Sequence, residues 1–291
     1  MKKKILFSII FFLKLLCGII HLKTKIRTKS SAILPLLSQI YLIPVSFSLR
    51  KQTIFDKKFL IIVPLTIIAK LSYWYSHSYT KPIDMYIPKT LEIVIISLGT
   101  FLILKKRLLK LQYLGISMII IGNILNITIS SQNIQFNYKF WGIYVTYTLI
   151  PIAIIFYYKY FKKYYIFDYL FTFEIISATC FTAVFITENT ITDKEDYKIF
   201  SNPRLYITTL SKSIDSILSL VMAYHLDSIL RTFIIYIIDS SVYIILALMD
   251  IKSFPYPKLI TFIFALLGTF IYEFEKIKML FKKYILKKTK S

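Results

Sequence analysis

The chain has 291 residues, of which 56% are hydrophobic and only 18% are charged, and its mean hydropathy is +0.63. Soluble domains average about 25% charged residues, so this composition argues against a water-soluble globular protein. The formal charge of +22 does not indicate nucleic-acid binding, because Lys and Arg form short clusters between apolar runs and no basic stripe. We therefore expect no nucleic acid among its partners.

Apolar runs of bilayer length follow one another along the chain. A hydrocarbon core about 30 Å thick requires roughly 20 apolar residues per helix, and these runs lack the alternation of barrel strands. The sequence predicts an all-α polytopic membrane protein with ten transmembrane helices and the lipid bilayer as a partner. The predicted spans are Ile5–Leu22, Ser31–Leu49, Phe59–Tyr79, Ile83–Leu104, Leu111–Ser130, Phe140–Phe161, Tyr164–Thr187, Leu205–His225, Leu230–Met249 and Lys258–Tyr272.

The segment Ser131–Lys139 is a polar break with five predicted spans on either side. Because five is an odd number, the second half enters the membrane inverted relative to the first, as in many transporters. We predict one ten-span transporter domain over residues 1–272, built from two inverted five-helix halves at about 1–130 and 140–272. Residues 273–291 place Lys and apolar residues at helical spacing, which predicts a basic amphipathic tail on the cytosolic leaflet. A solvated helix that only fixes topology is the alternative.

The basic residues are distributed unequally between the two ends of the spans. With the N-terminus in the cytosol, cytosolic segments hold 22 Lys and Arg residues and the opposite segments hold 11. This bias predicts that both termini are cytosolic. Two alternatives stay open: Tyr224–Arg231 could lie within one long bent span, and the first run could be a signal peptide. The signal peptide is disfavoured because Lys14 interrupts the run and no small-residue cleavage site follows.

Several ionisable residues fall inside the predicted spans. Even on the lenient insertion scale a charge at the bilayer centre costs about 2.5–3.5 kcal/mol, so such residues normally face a protein interior or a wet cavity. Lys89 follows two prolines, Pro82 and Pro88, which are typical of helices that line a transport cavity. The predicted substrate-binding residues are Lys70, Lys89, Lys212, Asp239, Ser240 and Ser241.

A purely structural role is the competing interpretation of these charges. Lys89 with Glu92, and Lys212 with Asp215, lie three positions apart on a helix and could neutralise each other. Catalytic and metal sites are not indicated, because the histidines are scattered and both cysteines lie inside apolar runs. We expect neither enzymatic activity nor a cofactor.

Two regions resemble spans of known transporters. The first runs from Pro82-Ile83-Asp84-Met85 through Gly99, Lys105-Lys106-Arg107 and Tyr113-Leu114 to Gly122. The second has Pro255 followed by Gly268-Thr269-Phe270-Ile271-Tyr272. Together they resemble the nucleotide-sugar transporters of the UAA family, in particular its UDP-N-acetylglucosamine branch, within the drug/metabolite transporter superfamily.

The resemblance implies an antiporter of the endoplasmic reticulum or Golgi that exchanges a nucleotide sugar for a nucleoside monophosphate. The chain departs from the family in span 9, where Asp239 occupies a region in which the family often carries a Lys. An acid there disfavours a diphosphate unless it is protonated or paired. A carrier of the same fold for a phosphorylated sugar or an amine, or a scaffold that does not transport, is therefore the alternative. A homodimer is the candidate assembly.

Overall fold

The structure is a computed structural model that describes residues 2–24, 32–77, 86–130, 141–191, 200–250 and 259–274. These ranges form ten α-helices, and they contain no β-strand. In chain order the helices are α1 (Lys2–Lys23), α2 (Ile33–Leu49), α3 (Phe59–His77), α4 (Tyr86–Leu102), α5 (Lys110–Ser130), α6 (Trp141–Phe156), α7 (Ile166–Ile191), α8 (Pro203–His225), α9 (Ser228–Asp250) and α10 (Leu259–Phe274). A π-helical segment, Tyr157–Phe161, continues α6.

The all-α fold is confirmed, and each predicted span corresponds to one helix. The chain between Tyr224 and Arg231 forms two helices and not one bent span, because Leu226 has an extended backbone that ends α8. The Asp227 carboxylate then accepts a hydrogen bond from the Leu230 amide at 2.8 Å, which caps the start of α9. The polar break Ser131–Lys139 and residues 275–291 of the tail lie outside the described residues.

The outer surface of the helices is apolar. Four helical segments, Phe59–Ser76, Trp141–Phe161, Ile166–Glu188 and Ser228–Met249, are long and apolar enough to cross a membrane. Four shorter apolar segments accompany them in α1, α2, α4 and α10. Large side chains such as Phe12, Leu60 and Phe270 are exposed on this surface, which is unusual for a protein surrounded by water. These features are compatible with a multi-pass membrane protein.

The helices of one half pack mainly against helices of the other. Helix α3 packs on α6 and α7, and α4 packs on α5, α6 and α9. Helix α1 packs on α8 and α9, and α2 packs on α7 and α8. This packing places parts of α3, α6, α7, α8 and α9 around a common space, which contains the candidate site.

Candidate functional site

A cavity of about 250 Å³ lies between five helices of the bundle. Its wall includes Lys70 from α3, Glu174 from α7, Asp215 from α8 and Arg231 from α9. The π-helical segment after α6 adds Tyr157. Segments of this kind occur frequently at functional sites. Ionisable groups from four different helices therefore converge on one space inside an otherwise apolar bundle.

Three polar atoms in this wall are buried without a hydrogen-bond partner in the described part of the protein: Nη1 of Arg231, Oε2 of Glu174 and the hydroxyl of Tyr157. The three residues are 9%, 2% and 4% exposed, respectively. A buried polar atom left unpaired costs about 1–3 kcal/mol, and more when it is charged. Their concentration in one cavity indicates a site that binds water or a polar ligand.

Lys70 has an unusual environment for a buried ammonium group. Its Nζ lies 5.8 Å and 5.9 Å from the ring centroids of Phe173 and Phe181. It attracts the Glu174 carboxylate, but the described structure contains no ion pair within 4.0 Å between these two residues. The Lys70 charge is thus only partly compensated, and a ligand could approach it.

Asp215 is compensated by a residue outside the cavity wall. Lys14 of α1 donates hydrogen bonds to Oδ1 of Asp215 at 2.5 Å and to the Ser219 hydroxyl at 2.7 Å. Nε of Arg231 lies 3.4 Å from the Ser219 carbonyl oxygen, so the same turn of α8 also holds the guanidinium group. Lys14 therefore neutralises Asp215 and leaves one nitrogen of Arg231 free to bind a ligand.

The charges around the cavity sum to a positive value. Lys14 pairs with Asp215, and Lys212 is attracted by Asp215 and by Asp239. When the pairs Lys14–Asp215 and Lys212–Asp239 are taken as neutral, the two cations Lys70 and Arg231 face the single carboxylate of Glu174. This leaves a surplus of one positive charge among the described side chains, which favours an anionic ligand.

The sequence-predicted residues lie in different places. Lys70 lines the cavity, whereas Lys212, Asp239, Ser240 and Ser241 do not belong to its described wall. Ser240 is buried, and the Ser241 hydroxyl donates to the Ile237 carbonyl oxygen at 2.7 Å. Lys89 is part of α4, and its side chain lies outside the described residues.

Arg231 and Glu174 are not among the residues predicted for the site. Arg231 lies at the start of the predicted span Leu230–Met249, where a basic residue is ordinary, whereas α9 begins at Ser228 and places it in the cavity wall. Glu174 is an acid in the middle of a predicted span, and the free-energy cost of a charge at that depth is the signal that points to a functional role. No local pattern in the sequence contains the approach of α7 to α3 and α8, which brings Glu174 to the cavity.

The end of the bundle nearest to Arg231 is closed by contacts between connecting segments. Lys162 and the Tyr158 hydroxyl both donate to the Leu226 carbonyl oxygen, at 2.6 Å and 3.1 Å. Burial lowers the pKa of Lys162 from its ordinary value; repulsion by Lys106 acts in the same direction, and Asp227 opposes both. The connections after α4, α6 and α8 therefore meet at this end.

The connection after α2 lies at the same end. The backbone amides of Lys51 and Gln52 donate to Oδ1 of Asp168, at the start of α7, at 2.6 Å and 3.0 Å. The guanidinium of Arg50 lies 4.0 Å from the centroid of the Phe171 ring. The connections after α2, α4 and α6, which are rich in Lys and Arg, thus share one end of the molecule with the short α8–α9 connection.

Comparison with known proteins supports the fold and adds no activity. No family model and no curated protein matches the chain. Among 26 matching chains of solved structures is one described only as "Crystal structure of protein". It superposes with a TM-score of 0.64 at 11% identity, covering 93% of this chain and 97% of its own. The chain is therefore similar in fold, over almost its whole length, to an experimentally solved protein.

Proposed function

We propose that the protein is a membrane carrier that moves a small phosphate-bearing metabolite through the charged cavity. The observation that carries this proposal is the presence of unpaired atoms of Arg231 and Glu174 in one cavity, together with the partly compensated Lys70. A scaffold protein has no need for such groups, because apolar residues of similar size pack at least as stably. A binding site inside a membrane-spanning bundle is what a carrier requires.

The pattern of helix packing supports two related halves. Adding five to a helix number exchanges the helix with its counterpart in the other half, and α11, α12 and α14 then count as α1, α2 and α4. On this scheme the α3–α6 contact becomes α8–α1, and the α4–α6 contact becomes α9–α1. The α3–α7 contact likewise becomes α8–α2, while the α2–α7 and α4–α9 contacts are converted into themselves. A twofold relation between helices α1–α5 and α6–α10 would produce this pattern. It is the arrangement that alternating access around a central site uses.

The dimensions of the cavity favour a small substrate. Pockets for drug-sized ligands are about 300–1,000 Å³, and this cavity has about 250 Å³. A phosphorylated sugar or amine is therefore the first substrate class that we propose. Its phosphate would lie between Lys70 and Arg231, the two cations of the wall.

A nucleotide sugar exchanged for a nucleoside monophosphate is the second candidate, and the sequence resemblance supports it. Three glycines of that resemblance lie at helix crossings, where Gly99 faces Ile155, Gly122 faces Phe264 and Gly268 faces Gly115, with no room for a Cβ. These positions report on packing and not on the substrate. The resemblance therefore favours the carrier fold more than it favours one sugar.

In the proposed orientation the basic end of the bundle and both chain termini lie in the cytosol. The proposed membrane is that of the endoplasmic reticulum or Golgi. The three basic connections after α2, α4 and α6 support this orientation, since cytosolic loops carry an excess of Lys and Arg. Epitope tags at the two termini should be reached by antibodies after the plasma membrane alone is permeabilised. Tags that are reached only after the organelle membrane is opened would contradict this orientation.

Uptake into proteoliposomes tests the proposed function. Purified protein should concentrate at least one member of a radiolabelled panel that contains hexose phosphates, amino-sugar phosphates, and UDP-, GDP- and CMP-sugars. Protein-free liposomes, and liposomes that contain the Arg231→Gln protein, serve as controls. If no compound enters faster than in protein-free liposomes, while the protein remains folded, the chain is a scaffold and the proposal is wrong.

A further inference from the structure

We infer that the substrate is a small phosphomonoester that also carries a protonated amine, with the phosphate at Arg231 and Lys70 and the amine at Glu174. This inference rests on the proposed function and narrows the substrate class of the same cavity. It assigns Glu174 as the residue that determines specificity, a role that the sequence did not suggest.

The unpaired carboxylate oxygen of Glu174 is the first observation. Glu174 is 2% exposed, lines the cavity, and its Oε2 has no hydrogen-bond partner among the described residues. The nearby Lys70 attracts it but does not form an ion pair with it within 4.0 Å. A carboxylate only accepts hydrogen bonds, so the ligand must present a donor to this oxygen. An ammonium group is the donor that also satisfies its charge.

The unpaired nitrogen of Arg231 is the second observation, and it lies on another helix of the same cavity. Its Nη1 is buried without a partner, while Nε is directed to the Ser219 carbonyl oxygen. A guanidinium group pairs well with phosphate, through a planar fork of donors. The cavity therefore offers a site for an anion on α9 and a site for a cation on α7. A ligand with a single charge would leave one of the two groups unpaired.

Charge balance favours this class over the alternatives. The cavity lining holds the two cations Lys70 and Arg231 and the two carboxylates Glu174 and Asp215, and because Lys14 from outside the lining pairs with Asp215, a surplus of one positive charge is left. A phosphomonoester carries about −1.5 to −2 charges at neutral pH, and an ammonium group brings its net charge close to −1. That value cancels the surplus. A hexose phosphate or a nucleoside diphosphate sugar would instead leave a negative excess and would offer Oε2 of Glu174 only neutral donors.

Glucosamine 6-phosphate and glucose 6-phosphate are a matched pair for the test, since they differ only in an amine or a hydroxyl on the second ring carbon. We would measure the Kd of each by calorimetry on the purified full chain in detergent. We expect glucosamine 6-phosphate to bind about tenfold more tightly or better, which corresponds to one buried charge-assisted hydrogen bond. Glu174→Gln keeps an acceptor oxygen but removes the charge, and it should bring the two Kd values within about twofold. Arg231→Gln should weaken both ligands and preserve their ratio.

Each outcome has a distinct meaning. If the wild-type protein binds both compounds equally, and Arg231→Gln weakens both, the phosphate carrier proposal stands and the amine inference is overturned. If Glu174→Gln keeps the preference for glucosamine 6-phosphate, the inference is also overturned. If neither compound binds, this substrate class is wrong, and uptake from the wider panel decides the carrier proposal separately. Because the ratio of the two Kd values is measured on the wild-type protein, a misfolded variant does not remove the test.

Discussion

Nζ of Lys14 lies 2.5 Å from Oδ1 of Asp215, although the two residues are 201 positions apart in the chain. The contact joins α1 to α8 directly behind the cavity wall. The helical spacing indicates Lys212 as a neutralising partner of Asp215, whereas the structure gives this acid a hydrogen-bonded partner, Lys14, from the other half of the chain. The charge state of the cavity therefore depends on a residue of the first helix.

Lys14→Met should destabilise the protein. The change leaves the Asp215 carboxylate without its hydrogen-bonded partner, and because the Asp215 side chain is 36% exposed the cost should stay below the ~3–5 kcal/mol of breaking a fully buried pair. Thermal unfolding in detergent measures the effect. The double variant Lys14→Met/Asp215→Asn should recover most of the loss, since it removes the uncompensated charge. Equal stability of Lys14→Met and the wild-type protein would show that the contact contributes nothing.

Gly115 and Gly268 should tolerate no side chain. A Cβ added to Gly115 would lie 2.6 Å from the Gly268 carbonyl oxygen, and a Cβ added to Gly268 would lie 2.6 Å from the Gly115 carbonyl oxygen. Small residues allow such close approach of helices in membranes. Gly115→Ala should therefore destabilise the α5–α10 contact by about 1–3 kcal/mol. Ser117→Ala, at an exposed position of the same helix, is the matched control and should leave the melting temperature unchanged.

Asp239→Asn should increase the affinity for the anionic substrate severalfold. Asp239 attracts Lys212 on α8, so removal of its charge raises the positive potential near Asp215 and the cavity. Titration of the substrate against the wild-type and variant proteins measures the change. An unaltered affinity would assign Asp239 only to helix packing. Complete loss of transport of amine-bearing compounds would instead make it a direct ligand of their cationic group.

If Lys89 adds a further cation on the substrate path, as the sequence predicts, Lys89→Met should weaken substrate binding and leave expression and the melting temperature nearly intact. The prediction rests on the position of Lys89 in the first turn of α4, after Pro82 and Pro88. Binding assays and thermal unfolding on the same preparations separate the two effects. If Lys89→Met misfolds and Glu92→Gln restores it, the lysine is a structural partner of that glutamate.

The helices could be predicted from the sequence and the cavity could not, because helix formation depends on local composition and the cavity depends on contacts between residues far apart in the chain. Each helix appears in the sequence as an apolar run, since the bilayer imposes length and composition locally. The cavity could not be predicted in the same way, because it depends on which helices pair. Lys14 and Asp215 illustrate this, since no local spacing relates them. Arg231 lies at the start of the predicted span Leu230–Met249, where a basic residue gives no signal of a buried site, and the structure buries it because α9 begins at Ser228.

The measurement that tests the central claim most directly is counterflow in proteoliposomes preloaded with unlabelled phosphorylated substrate. The wild-type protein should accumulate the labelled compound transiently above equilibrium. Lys70→Gln and Arg231→Gln should each slow this exchange about tenfold or more, because each removes one of the two cations proposed to bind the substrate phosphate. Arg204→Gln changes an exposed arginine at the start of α8 and should exchange at the wild-type rate. Exchange at the wild-type rate in the Lys70 and Arg231 variants would contradict the assignment of this cavity as the substrate site.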